Sequence, residues 1–107
     1  MIERLAVYGS LAPGRPNEHV LADITGRWRS GTVCGILRAE GWGADLGYPG
    51  IVLDPAGPAV DVALFESAEL AAHWERLDDF EGHGYRRTLT TVDTADGSRS
   101  AWIYVLA

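Results

Sequence analysis

The stretch S-A-E-L-A-A-H-W-E-R-L-D-D-F-E-G, Ser67 to Gly82, carries the strongest helix signal in the sequence. Ser67 offers a side-chain oxygen to the free N–H groups of a first turn, and Glu69 stands where the helix dipole favours negative charge. Leu70, Trp74 and Leu77 recur at i, i+4 and i+7 and form one apolar stripe. The spacing predicts a helix over Ser67–Phe80, closed by Gly82 as a C-cap. The pattern around it is of another kind. Tyr85–Val92 and Arg99–Leu106 read as strands joined by a hairpin at Asp96-Gly97. The second is apolar on both faces from Ala101 to Leu106, as expected of a central strand.

Upstream, the same alternation of short β-runs and turns continues. Arg4–Tyr8 is a first strand, followed by a loop dense in glycine and proline (Gly9, Pro13, Gly14, Pro16). Asn17 is placed to cap a short helix carrying Val20, Leu21 and Ile24, which ends at Gly26. Arg27–Leu37 is rich in β-formers, and Gly31 and Gly35 predict bends or bulges in it. A glycine-rich loop with Trp42 and Tyr48 precedes a short strand, Ile51–Leu53. A turn at Asp54-Pro55 and Gly57-Pro58 leads into a strand over Val60–Phe65. Strands and helices do not alternate regularly, so a doubly wound parallel sheet is excluded. The predicted architecture is α+β: a small, mainly antiparallel β-barrel flanked by one long and one short helix.

The chain has 107 residues, which predicts one domain over 1–107. With 47% hydrophobic and 22% charged residues it has material for a core and is not of disordered composition. Nine basic and 15 acidic residues give a net charge of -6, which disfavours nucleic acid as a partner. Cys34 is the only cysteine, so no internal disulfide forms and a thiolate zinc site is not expected. Its place in mid-strand predicts a small core residue. The first residues lack the basic and apolar pattern of a signal peptide, and no apolar run approaches the ~20 residues that span a bilayer, so the expected location is the cytoplasm, without membrane association.

One position in the helix is a misfit. At ~100° per residue, eleven steps from Leu70 return to the apolar stripe, and that position is Glu81. Asp78 and Asp79 project elsewhere. A carboxylate on the inward face of a last helical turn meets both desolvation and an unfavourable dipole end. Both raise its pKa, which suits a group that takes and returns a proton near neutrality. From geometry alone a second reading stands beside this one: a glutamate that reaches water at a frayed helix end.

The second feature is Tyr8-Gly9-Ser10-Leu11, directly after the first strand. Glycine lets the chain turn sharply, so successive N–H groups can converge on an anion. It is not a Walker loop or a dinucleotide fingerprint, and a plain turn accounts for it equally. Asp78, Asp79, Glu81 and His83 are hard-ligand types, but their directions on a helix diverge, so no metal is expected. A triad from Ser10 and His83 lacks the G-x-S-x-G elbow.

Together these segments resemble the γ-glutamylcyclotransferase-like family, in its AIG2-like branch. The resemblance starts at Tyr8–Leu11, continues through Gly47-Tyr48-Pro49-Gly50, and is strongest at Leu77-Asp78-Asp79-Phe80-Glu81-Gly82. Tyr85 and Arg87 follow in the family's Tyr-x-Arg pattern, and the aromatic strand Trp102–Val105 closes it. The sequence departs from the pattern at Val62, three residues before Phe65, where a small glycine is expected.

The resemblance implies a small β-barrel flanked by helices. It also implies an enzyme that converts γ-glutamyl amines or amino acids to 5-oxoproline and a free amine, with no cofactor. It places the catalytic glutamate at Glu81 and substrate binding at Tyr8, Gly9, Ser10, Leu11 and Tyr85. The expected partner is a small γ-glutamyl molecule; the sequence carries no signal of oligomeric state. The alternative is a non-catalytic binding or regulatory module for a small carboxylate metabolite.

Overall fold

The computed structural model describes residues 2–8, 19–38 and 50–107. Among these residues, six strands and two α-helices are formed: β1 (Glu3–Val7), α1 (His19–Ala22), β2 (Arg27–Arg38), β3 (Gly50–Leu53), β4 (Ala59–Ser67), α2 (Trp74–Glu81), β5 (Tyr85–Thr94) and β6 (Gly97–Leu106). A 3₁₀ turn over Leu70–His73 leads into α2.

Five strands close on themselves in the order β2-β4-β1-β6-β5, and β3 extends the sheet from the far end of β2. Closure is made by one pairing of β5 with β2, Thr32 opposite Asp93. All pairings are antiparallel except β1 with β6. The barrel is therefore the predicted mainly antiparallel one. β6 is central, between β1 and β5, as its two apolar faces require.

Strand alternation divides the core in two. One set, including Ala6, Val33, Val62, Leu64, Val92, Ala101 and Ile103, fills the barrel interior. The other, including Leu5, Val7, Leu21, Phe65, Leu70, Leu77 and Tyr104, packs the outer face of the sheet against the helices. The interior is closed at one end by charge. Glu66, 7% exposed, receives hydrogen bonds from Arg4 at 2.7 Å and Arg29 at 3.0 Å, and Arg29 also pairs with Asp96. Burial pushes the Glu66 carboxyl up, but the two guanidinium groups outweigh it and hold the pKa below the ordinary value. Among the described residues, no helix is long and apolar enough to cross a membrane.

Several local expectations are corrected. The helix does not run continuously from Ser67. That residue is the last of β4, paired with Glu3, and its hydroxyl donates to the Thr25 carbonyl while accepting the Glu69 N–H at 3.0 Å. Ser67 thus turns the chain rather than capping an α-helix, and the long helix shrinks to a 3₁₀ turn plus eight α-helical residues. No bulge occurs at Gly31, since β2 pairs with β4 in unbroken register from Arg27 to Cys34. Glycine is needed there because a Cβ would lie 2.5 Å from Val92 and 3.0 Å from the Asp93 carbonyl, where the barrel closes. Cys34 is exposed rather than buried, because it alternates with the inward Val33. Val62 fills the barrel interior opposite Gly31.

Candidate active site

The site is assembled where α2 ends and β1, β5 and β6 meet. The stripe along α2 anchors it: Leu70 and Leu77 are fully buried, and Trp74 packs beside them. Glu81 lies one turn beyond Leu77, so the same face that buries leucine carries a carboxyl at its last position. Gly82, at φ 77°, then stops the helix in a left-handed conformation, and its N–H bonds the Asp78 carbonyl at 3.0 Å. Glu81 is half-buried. Burial pushes its carboxyl up to about 7.

Tyr8 follows β1 and packs against the interior core from the end opposite Glu66. Its hydroxyl donates to the Tyr104 carbonyl at 2.6 Å and accepts the Ile51 N–H at 3.0 Å, so it ties β6 to β3. Burial raises its pKa first of all, with smaller contributions from the charges of Glu81 and Tyr85. The phenol therefore stays neutral. Tyr85 opens β5; its N–H bonds the Gly82 carbonyl at 3.3 Å.

Tyr8 is far in sequence from Glu81 and Tyr85, yet both are close enough to act on it electrostatically. Gly9, Ser10 and Leu11 lie outside the described residues. His83 lines a groove of about 520 Å³ beside the end of α2, together with Asp78, Asp79 and Tyr85. Among the described residues, no group of three or more His, Cys, Asp or Glu side chains is gathered to hold a metal ion.

Sequence reasoning missed the contacts of Asp78. Off the leucine stripe, its carboxylate accepts Arg87 Nε at 2.9 Å, Arg87 Nη2 at 3.3 Å and the Tyr104 hydroxyl at 2.7 Å. The Arg87 hydrogen bond, outweighing partial burial, holds the Asp78 carboxyl below the usual range. Arg87 packs on two indoles that meet edge to face, its guanidinium carbon 4.4 Å from the ring centre of Trp74 and 4.6 Å from that of Trp102. The Tyr-x-Arg spacing marks Arg87, but no local signal links it to Asp78.

The raised carboxyl has a consequence for stability. Glu81 binds its proton more tightly folded than unfolded, so its contribution is full below about pH 4.5 and lost as pH rises through about 7. At about 1.4 kcal/mol per unit, that rise corresponds to roughly 3–4 kcal/mol. Glu81→Gln is expected to flatten this slope and to be more stable than the parent at pH 8 by about that amount. Urea denaturation at pH 4.5, 6 and 8 measures it; parallel curves for parent and variant would refute the raised pKa.

A small closed α+β barrel carries a half-buried carboxyl at the end of one helix, within electrostatic reach of the tyrosine that follows its first strand. The sequence model of the family described as gamma-glutamyl cyclotransferase, AIG2-like, matches residues 5–107, and the chain belongs to that family.

Solved structures share the fold. YkqA from Bacillus subtilis aligns over 99% of this chain with a TM-score of 0.76 and 28% identity, and the chain spans only 36% of that protein's length. An AIG2-like protein from Mus musculus aligns over 99% of this chain and 78% of its own, with a TM-score of 0.77 and 24% identity. A gamma-glutamyl cyclotransferase aligns over 100% of this chain and 68% of its own, with a TM-score of 0.67 and 15% identity. No curated protein matches the sequence.

Proposed function

We propose that this protein is a cyclotransferase that releases 5-oxoproline and a free amine from a γ-glutamyl amine or γ-glutamyl amino acid, with Glu81 as general base and then general acid. The observation that supports it most is a half-buried carboxyl at the end of α2, pushed up to about 7, within electrostatic reach of Tyr8. Family membership supplies the reaction class.

The chemistry needs little more. The substrate's α-amine attacks its own γ-carbonyl, a C–N bond closes a five-membered ring, and the amide C–N bond to the leaving amine breaks. The proton removed from the attacking nitrogen ends on the leaving nitrogen. Nucleophile and electrophile share one molecule, so the protein chiefly fixes a productive conformer; such reactions reach effective molarities on the order of 10⁵–10⁸ M. A carboxyl with a pKa near 7 is populated in both forms at neutral pH, so one group fills both proton-transfer roles. Tyr8 and Tyr85 contribute walls of the binding site. Backbone N–H groups of Gly9, Ser10 and Leu11 hold the substrate or its developing oxyanion.

The test is incubation with a panel of γ-glutamyl amines and amino acids, with 5-oxoproline read by mass spectrometry. At least one compound is expected to yield 5-oxoproline and its free amine in equal amounts. Binding without product from any member would mark the chain instead as a binding module for a carboxylate metabolite.

A further inference from the structure

Glu81 is held on the last turn of a helix only eight residues long, next to a glycine. Such an end frays unless something ties it down. Among the described residues, the backbone there is tied by the bond from the Gly82 N–H to the Asp78 carbonyl and by that from the Tyr85 N–H to the Gly82 carbonyl. Asp78 is also the residue whose side chain is fixed to the sheet. Its two oxygens receive three hydrogen bonds, two from Arg87 on β5 and one from Tyr104 on β6. Arg87 in turn has little freedom, since its guanidinium packs on two indoles, from α2 and β6, that themselves meet edge to face. A planar fork that is stacked and bidentate sets direction as well as distance.

We propose that Asp78, Arg87 and Tyr104 form a clamp that positions Glu81, locking the last turn of α2 onto β5 and β6 so that the Glu81 carboxyl stays at the site instead of swinging into water. The clamp residues are positioning residues, and their catalytic consequence rests on the function proposed above. Its worth lies in placement rather than stability. Asp78 is 44% exposed, and ion pairs this open contribute little to folding. A displacement of about 1 Å at a reacting group, by contrast, costs on the order of 10²-fold in rate.

Glu81 itself reports the clamp. Burial is the one resolved cause of its raised pKa, so a carboxyl that leaves its place titrates lower. The charge of Glu81 reaches Tyr8 after β1 and Tyr104 on β6, while Asp78 stands three residues before it on α2, paired with Arg87 of β5, and Tyr85 four residues after it at the start of β5. Variants that conserve charge therefore separate loss of position from loss of a neighbour's field. Arg87→Lys keeps the charge but gives up the fork and the stacking. Tyr104→Phe keeps shape and packing and removes one hydrogen bond.

The experiment is a ¹³C NMR titration of the Glu81 carboxyl in the full chain, without substrate. In Asp78→Ala and Arg87→Lys the midpoint is expected to fall from about 7 by a unit or more, toward the ordinary range, and in Tyr104→Phe by less. Asp79→Ala removes an exposed carboxylate beside Asp78 and is expected to leave it in place. On a substrate that yields 5-oxoproline, kcat of Asp78→Ala should fall at least about tenfold with KM within about threefold.

A midpoint unchanged in both charge-conserving variants would overturn the clamp, whatever turnover does. A fall in Asp78→Ala alone would overturn it too, since that is the loss of a neighbouring charge. A midpoint that falls while kcat holds would leave the clamp standing and remove Glu81 as the catalyst, so the two ideas fail separately.

Discussion

Glu81→Gln is expected to bind a γ-glutamyl ligand as the parent does and to lose about 10²–10⁴-fold in turnover. Glutamine keeps the length and shape of glutamate and still hydrogen-bonds, so the half-buried position at the end of α2 is filled as before. What it lacks is basicity. The substrate's amine is an ammonium at neutral pH, so ring closure needs a group to take a proton, and the departing nitrogen needs one to receive it. With a carboxyl pushed up to about 7, the pH–rate profile of the parent should show an acid limb near that value as Glu81 ionises. The variant should show no such limb. Single-turnover kinetics and isothermal titration calorimetry on the same substrate separate the roles. Turnover within a few-fold of the parent would dismiss Glu81 as the proton carrier, and loss of binding along with turnover would make it a ligand-binding residue.

Leu77→Ala is expected to destabilise the fold by about 2–5 kcal/mol, while Asp79→Ala, two residues on, changes stability by less than about 0.5 kcal/mol. Leu77 is fully buried in the layer between α2 and the sheet, among Leu5, Leu70 and Tyr104. Truncation removes its transfer free energy and leaves a cavity that rigid neighbours cannot fill, because the β-sheet on one side and the Trp74–Arg87–Trp102 stack close by have little room to relax. Asp79 is exposed. Urea midpoints for the two variants give the comparison directly, and equal midpoints would mean that α2 docks on another face. Since the stripe that buries Leu77 also aims Glu81, such a result would weaken the proposed site as well.

The places where sequence reading succeeded share a cause. The Leu70 and Leu77 stripe, the stop at Gly82, the hairpin before β6 and the doubly apolar β6 are all written in residues a few positions apart. Helix period, strand alternation and turn preference act over that range. Gly97, at φ 105°, illustrates the point: glycine tolerates that backbone wherever the hairpin lies in the fold. Where reading went astray, the deciding partner was distant. Ser67 has the chemistry of a helix cap, but Glu3 pairs with it and Thr25 accepts from its hydroxyl, so the strand continues through it. Gly31 suggests a bulge until Val92 is brought against it by barrel closure.

The candidate site divides along the same line. The sequence by itself put a carboxyl four residues beyond Leu77, on the leucine's stripe, because 3.6-residue periodicity fixes direction without reference to anything outside the helix; it left open whether that carboxyl turns inward or reaches water. It also determined that a tyrosine follows the first strand. Only the tertiary structure decided what surrounds them. The tie from Tyr8 to Ile51 and Tyr104, and the clamp of Arg87 and Tyr104 on Asp78, depend on strand order and register, which neighbours in sequence do not encode. The raised pKa of Glu81 belongs to that second kind: it arises from water excluded by elements that meet only when the barrel closes and α2 docks on it.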